Sequence, residues 1–221
     1  MMEELAKTVQ QKYIDEIVSK YPLHRFVILF VFIISTYAYN VTEHSLLTEL
    51  RSVKVGDLFD FKDGLISKVT LLQLIFCVAL TAINTIIFEK TSGVIFNKLI
   101  KRYDIAKLTQ DLKARYEKIK TNNELVNYYL SKDITSDLEK KKIRLRCLTI
   151  NMEYLTAIVF SIVIGVMKNG MLELLGFIVV LSLLAFLHFR LFIFYIQSFI
   201  PLHVAEKVLQ GADVDIENPL S

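Results

Sequence analysis

The sequence predicts an all-α integral membrane protein with four transmembrane helices and a cytoplasmic helical domain inserted between spans two and three. Three observations carry that expectation. Hydrophobic residues make up 53% of the 221 positions, and mean hydropathy is +0.44. They gather into blocks that approach the ~20 residues needed to cross a bilayer, instead of being scattered as in a soluble domain. Basic charge concentrates in one of the two large polar segments between those blocks.

Residues 1–22 precede the first block. Leu5, Val9, Tyr13, Ile17 and Tyr21 recur at helical spacing and Pro22 ends the run, so an amphipathic cytoplasmic helix is expected. Its mixed charge favours packing against protein over a basic lipid-surface role. The first block, Arg25–Val41, comes after Glu3, Glu4, Asp15 and Glu16, which a short basic signal n-region would lack. It reads as an uncleaved signal anchor. The second block, Val69–Phe88, closes a first hairpin (23–88) around an external loop at 40–68. The sequon at Asn40 abuts the membrane and reads as a chance match.

Charge sets the orientation. The 40–68 loop holds Arg51, Lys54, Lys62 and Lys68 against five acids, whereas 90–150 holds fifteen Lys or Arg against seven acids. The positive-inside rule therefore places the second segment and both termini in the cytoplasm. Lys- and Ile-rich usage points to a bacterial inner membrane.

The basic segment, 89–152, is patterned as a helical domain. Ile105, Leu108, Leu112, Tyr116 and Ile119 share one helical face. Thr121–Glu124 ("TNNE") should break that helix, and a short helix is expected around Leu125–Leu130. Ser136–Glu139 ("SDLE") reads as a capping box that opens one long helix from Asp137 through Met167. The second span is expected to continue past Thr91–Gly93 into Val94–Tyr103.

The second hairpin, 153–200, comprises the block Glu153–Met167, a tight external turn at Lys168–Gly170, and a last helix from Met171. That helix contains "LSLLAFLHFRLFIFYIQSFIP", Leu181–Pro201, interrupted by His188 and Arg190. Counting equal steps from a turn near Asn169 puts Arg190 level with Leu148 and His188 level with Ile150 and Asn151. Arg190 then lies at the cytoplasmic border, free to reach headgroups or to pair with Glu153 or Glu89. Two positions are about 200° apart on a helix, so His188 and Arg190 do not share one small site. The Phe-rich part beyond Arg190 needs protein to cover it, from Asp137–Ile150 or a neighbouring subunit. Residues 201–221 read as a short helix and an acidic flexible tail.

The chemistry-bearing residues are few. Gln73, Asn84 and Ser161 fall inside spans, where such side chains usually hydrogen-bond between helices. Lys140, Lys141, Lys142, Arg144 and Arg146 form a basic run beside the membrane, suited to anionic headgroups or a protein partner more than to nucleic acid. No Gly-rich phosphate loop, nucleophile elbow or metal spacing occurs, so neither an enzyme nor a cofactor or metal is expected. Cys77 lies within a span and Cys147 outside one, which argues against a disulfide.

Four spans, cytoplasmic termini and a helical insert between spans two and three resemble the small four-span membrane subunits of bacterial anti-phage systems such as Kiwa. The resemblance is one of layout, and it implies an oligomeric sensor or scaffold working with a cytoplasmic effector. The residues themselves leave two further readings: a membrane-permeabilising pore, with Arg190 near its mouth, and an immunity protein against a membrane-active toxin. The expected partners are the lipid bilayer, further copies of the chain, and a cytoplasmic protein.

Overall fold

The computed structural model describes residues 23–211 except positions 43, 55, 58, 59, 61, 63, 104 and 170. The expected amphipathic helix at 1–22 and the acidic tail at 212–221 lie outside the described residues. Within them every regular element is helical. The order is α1 (His24–Tyr37) running into a π-helical turn (Ala38–Thr42), α2 (Leu46–Ser52), α3 (Leu65–Lys68), α4 (Leu71–Arg102), α5 (Ile105–Ile119), α6 (Glu124–Asn169), α7 (Met171–Phe194), a second π-helical turn (Tyr195–Phe199) and α8 (Ile200–Gln210).

Three stretches are long and apolar enough to cross a membrane: Leu71–Ile100, Glu124–Val166 and Glu173–Gln210. The first apolar block forms a shorter helix, His24–Asn40. At 1.5 Å per residue it reaches about 25 Å, just under the ~30 Å hydrocarbon core.

Helix starts are where local sequence and structure part company. Helix α4 opens on a reciprocal capping box: Thr70 N–H donates to Gln73 Oε1 at 2.9 Å, and Gln73 N–H donates to Thr70 Oγ1 at 3.3 Å. Gln73, expected to bond between helices, is a cap instead. The helix then runs without a break past Thr91–Gly93 to Arg102. Helix α6 departs from expectation, because it starts at Glu124 and Ser136–Glu139 lies in its interior. Asn123 Oδ1 caps it, accepting from Leu125 N–H at 3.0 Å and Val126 N–H at 3.4 Å. The segment 130–137 contains no Gly or Pro, and two of its three hydroxyls bond back along the same helix, Thr135 also facing Glu206 of α8. Ser131 donates to the Tyr128 carbonyl at 2.8 Å and Thr135 to the Ser131 carbonyl at 2.8 Å. Satisfied in this way, they do not compete for a new helix start.

The chain divides into two compact units, Met1–Ile86 with Glu153–Leu181, and Ile87–Met152 with Ser182–Ser221. In the first, Ile28, Phe32 and Ile33 of α1 pack on Cys77 and Leu80 of α4 and Ala157 of α6. A second cluster joins Ile34, Ala38 and Tyr39 to Leu46, Leu65, Ile162 and Val180. The outer faces of α4 and α7 leave Leu72, Phe76, Leu175 and Val179 exposed. Apolar surface of that extent is stable against lipid rather than water.

In the second unit, Phe192, Tyr195, Phe199 and Ile200 are buried with Ile105, Leu138, Val204 and Val208. Phe96 meets Phe192 and Tyr195 edge-on at 5.6 and 5.0 Å between centroids. Each such side chain contributes about 1.5–3 kcal/mol on burial. The Phe-rich stretch beyond Arg190 is thus covered by α4, α5, α6 and α8 of its own unit. Pro201 explains the π-helical turn before it. Lacking an N–H, it makes no bond to the carbonyl four residues back, and the Ile200 N–H reaches instead to the Tyr195 carbonyl. Gly211, at φ 72°, ends α8 in the left-handed region.

Candidate functional site

Besides Glu49, whose Oε1 faces His44 Nδ1 at 3.0 Å, the first unit holds two buried carboxylates, Glu153 on α6 and Glu173 on α7, at the two ends of the α6 stretch 153–165. At one end, Glu153 is 5% exposed. His24 of α1 donates from Nε2 to its Oε2 at 2.9 Å, and Thr85 of α4 donates to its Oε1 at 2.9 Å. A carboxylate withdrawn from water needs such charge-assisted partners. Both of its oxygens are therefore occupied by groups other than Arg190.

At the other end, Glu173 opens α7 and is 1% exposed. Its Oε1 accepts the Leu46 backbone N–H at 3.0 Å and faces the Tyr39 hydroxyl at 3.4 Å, while Oε2 has no partner among the described residues. Tyr39 sits in the π-helical turn that ends α1. Gly165 makes room for it, since a Cβ there would overlap the Tyr39 hydroxyl and stand 2.6 Å from its ring Cε1.

Between these ends, Glu153, Ala157, Ser161 and Gly165 recur every four residues, so they form one i±4 ridge that winds about 120° around α6, and all four are buried. The ridge advances about 18 Å along the helix axis from Glu153 to Gly165. Ser161 Oγ and both polar atoms of Asn84, one position before Thr85 on α4, have no hydrogen-bond partner among the described residues. Asn84, expected to bond between helices, is buried with no such bond among the described residues.

The second unit holds the other residues singled out in the sequence. His188 is buried; its Nδ1 donates to the Leu184 carbonyl at 2.9 Å, which leaves Nε2 to accept from Ser92 at 3.2 Å in the neutral ring. Arg190 and Glu89 are both exposed, and among the described residues neither forms an ion pair. In the basic run, Lys140 pairs with Asp137 at 2.9 Å and Lys142 with Glu139 at 2.8 Å. The Lys140 ammonium holds the Asp137 carboxyl below its ordinary range. Lys141 and Arg144 lie over the Phe194 ring, at 5.6 and 4.8 Å. Arg146 is exposed.

The first two turns of α6 carry a feature that periodicity alone passes over. Leu125, Val126, Tyr128, Tyr129 and Leu130 are exposed, with Tyr128 at 63% and Leu125 at 66%. The two Tyr rings meet edge-on at 5.7 Å. Five large apolar side chains in six residues exceed what one face of a helix can bury, and that count was the available signal. Glu173, the sole acid of the last apolar block, was the signal for the other site.

These features define an all-helical protein with three helices long and apolar enough to span a membrane. No family model, curated protein or solved structure matches the chain.

Proposed function

We propose that the protein is an oligomeric membrane scaffold or sensor whose cytoplasmic helical unit recruits a soluble protein partner. The apolar surface at the start of α6 carries this reading. Leu125, Tyr128 and Tyr129 are exposed in the unit that contains the basic segment, and the charged run Lys140–Arg146 separates them from the apolar end of α6. Clustered aromatics of this kind are typical anchors of protein interfaces. In this reading His24–Asn40 is a fourth, short span, both termini face the cytoplasm, and the location is a bacterial inner membrane. The excess of Lys and Arg in 90–150 supports that orientation.

The test combines light scattering in mild detergent with a photo-crosslinking amino acid at Tyr128. The expected result is a mass of more than one copy and an adduct to a soluble protein that Tyr129→Glu abolishes. A monomer that forms no adduct would refute the reading. The layout's resemblance to anti-phage membrane subunits makes phage challenge of expressing cells the physiological assay.

A further inference from the structure

We propose that the first unit conducts protons along the α6 ridge that joins Glu153 to Glu173. The inference goes beyond scaffolding and is independent of the docking surface. Small residues alone would account for Ala157 and Gly165, since close helix approach in lipid uses such residues. They do not account for Ser161 and Asn84, whose polar atoms are buried within apolar helices with no partner among the described residues. An apolar side chain of similar size at either place would avoid that cost. Nor does packing explain an ionisable carboxyl at each end of the same ridge.

The two ends differ in a way that suits transfer. Glu153 faces the His24 imidazole from α1 and the Thr85 hydroxyl from α4, with the Tyr154 ring 6.5 Å from His24. Glu173 faces the Tyr39 hydroxyl and the Leu46 amide, and among the described residues no Lys or Arg pairs with it. A proton entering at this end binds Glu173 Oε2, making the carboxylate a neutral acid. It then passes through water held by Ser161 and Asn84, each transfer making one O–H bond as it breaks another. Glu153 receives it, becoming a neutral acid, and releases it to water beside His24, whose Nε2–H bond to Oε2 holds the carboxyl in place. Both carboxyls return to their starting state, one proton has crossed, and a counter-ion flow balances the charge. Ser161 lies about 12 Å from Glu153 along the axis, a gap that the proposal requires a few water molecules to bridge.

The test uses the purified full-length chain in neutral-lipid liposomes containing pyranine, with a potassium diffusion potential set by valinomycin. Proton entry should exceed that of protein-free liposomes while entrapped carboxyfluorescein is retained. Asn84→Leu should lower the flux about tenfold and raise the thermal midpoint, because it removes two polar atoms that bond to nothing among the described residues. Glu173→Gln should lower the flux similarly, and Glu173→Asp should restore much of it. Flux no faster than in protein-free liposomes overturns the proposal. So does flux that survives Asn84→Leu, or that comes with carboxyfluorescein loss, which would mean an open pore. None of these outcomes bears on Tyr128 and Tyr129, whose role is read by mass and crosslinking.

Discussion

Gly165→Ala offers a sharp test of the packing around Glu173. The added Cβ would overlap the Tyr39 hydroxyl and lie 2.6 Å from Tyr39 Cε1, inside any tolerated contact. Tyr39 is 4% exposed and packs with Ile34, Leu46 and Ile162; it also lines a cavity of about 540 Å³, but to turn into it the ring must leave those three contacts and Glu173. Overpacking of this kind costs about 1–3 kcal/mol. Losing the Tyr39 donation to Glu173 adds roughly 1 kcal/mol, and the better helix propensity of Ala returns about as much. The expected net loss is therefore about 1–3 kcal/mol. Cys77 supplies the assay, because it is buried whereas Cys147 is exposed. In a Cys147→Ser background, a thiol-reactive fluorophore reports unfolding as Cys77 becomes accessible on heating. A midpoint that stays level or rises in Gly165→Ala would refute the reasoning.

The same assay reads three further variants. Thr70→Ala removes half of the box with Gln73 and should cost about 1 kcal/mol, with no change if the box is incidental. Ser92→Ala leaves His188 Nε2 without its partner and should cost about 1 kcal/mol. Arg190→Leu removes no ion pair, so the detergent midpoint should stay unchanged; a clear fall would reveal a contact absent among the described residues. For Asp137, held low by Lys140, any contribution is present at neutral pH and lost as pH falls through its lowered value. The pair is fully exposed, so Lys140→Gln should leave the acid limb of a stability profile nearly unmoved.

The regular parts of the fold were legible because helical periodicity is local. The stripe from Ile105 to Ile119 predicts α5 with its observed ends, and "TNNE" marks a true break because Asn123 caps the next helix. The capping signals show the limit of such patterns. "SDLE" has the letters of a box but sits inside α6, whereas "TLLQ", Thr70–Gln73, forms one at the start of an apolar helix. Nothing local separates them; in the first case the helix already runs through from the Asn123 cap, and Ser131 and Thr135 bond along it or to Glu206 of α8.

The candidate site was less legible, because its partners are distant in the chain. Depth counting brings Glu153 towards Arg190, yet its contacts are His24 and Thr85, 129 and 68 positions away. Glu173 depends on Tyr39, whose aim is set by a π-helical turn that side-chain periodicity does not reveal. The spacing Glu153, Ala157, Ser161, Gly165 was present in the sequence, but equal steps of four do not say which face is buried.

The proposed cytoplasmic placement of the second unit is tested most directly at Cys147, native and exposed in the unit that carries the basic segment. With Cys77 replaced by Ser it is the remaining thiol. A membrane-impermeant maleimide should leave it unlabelled in intact bacterial cells and label it fully in inverted membrane vesicles. Labelling in intact cells would put that unit, with Tyr128 and Tyr129, on the outer side and contradict a scaffold that recruits a cytoplasmic partner.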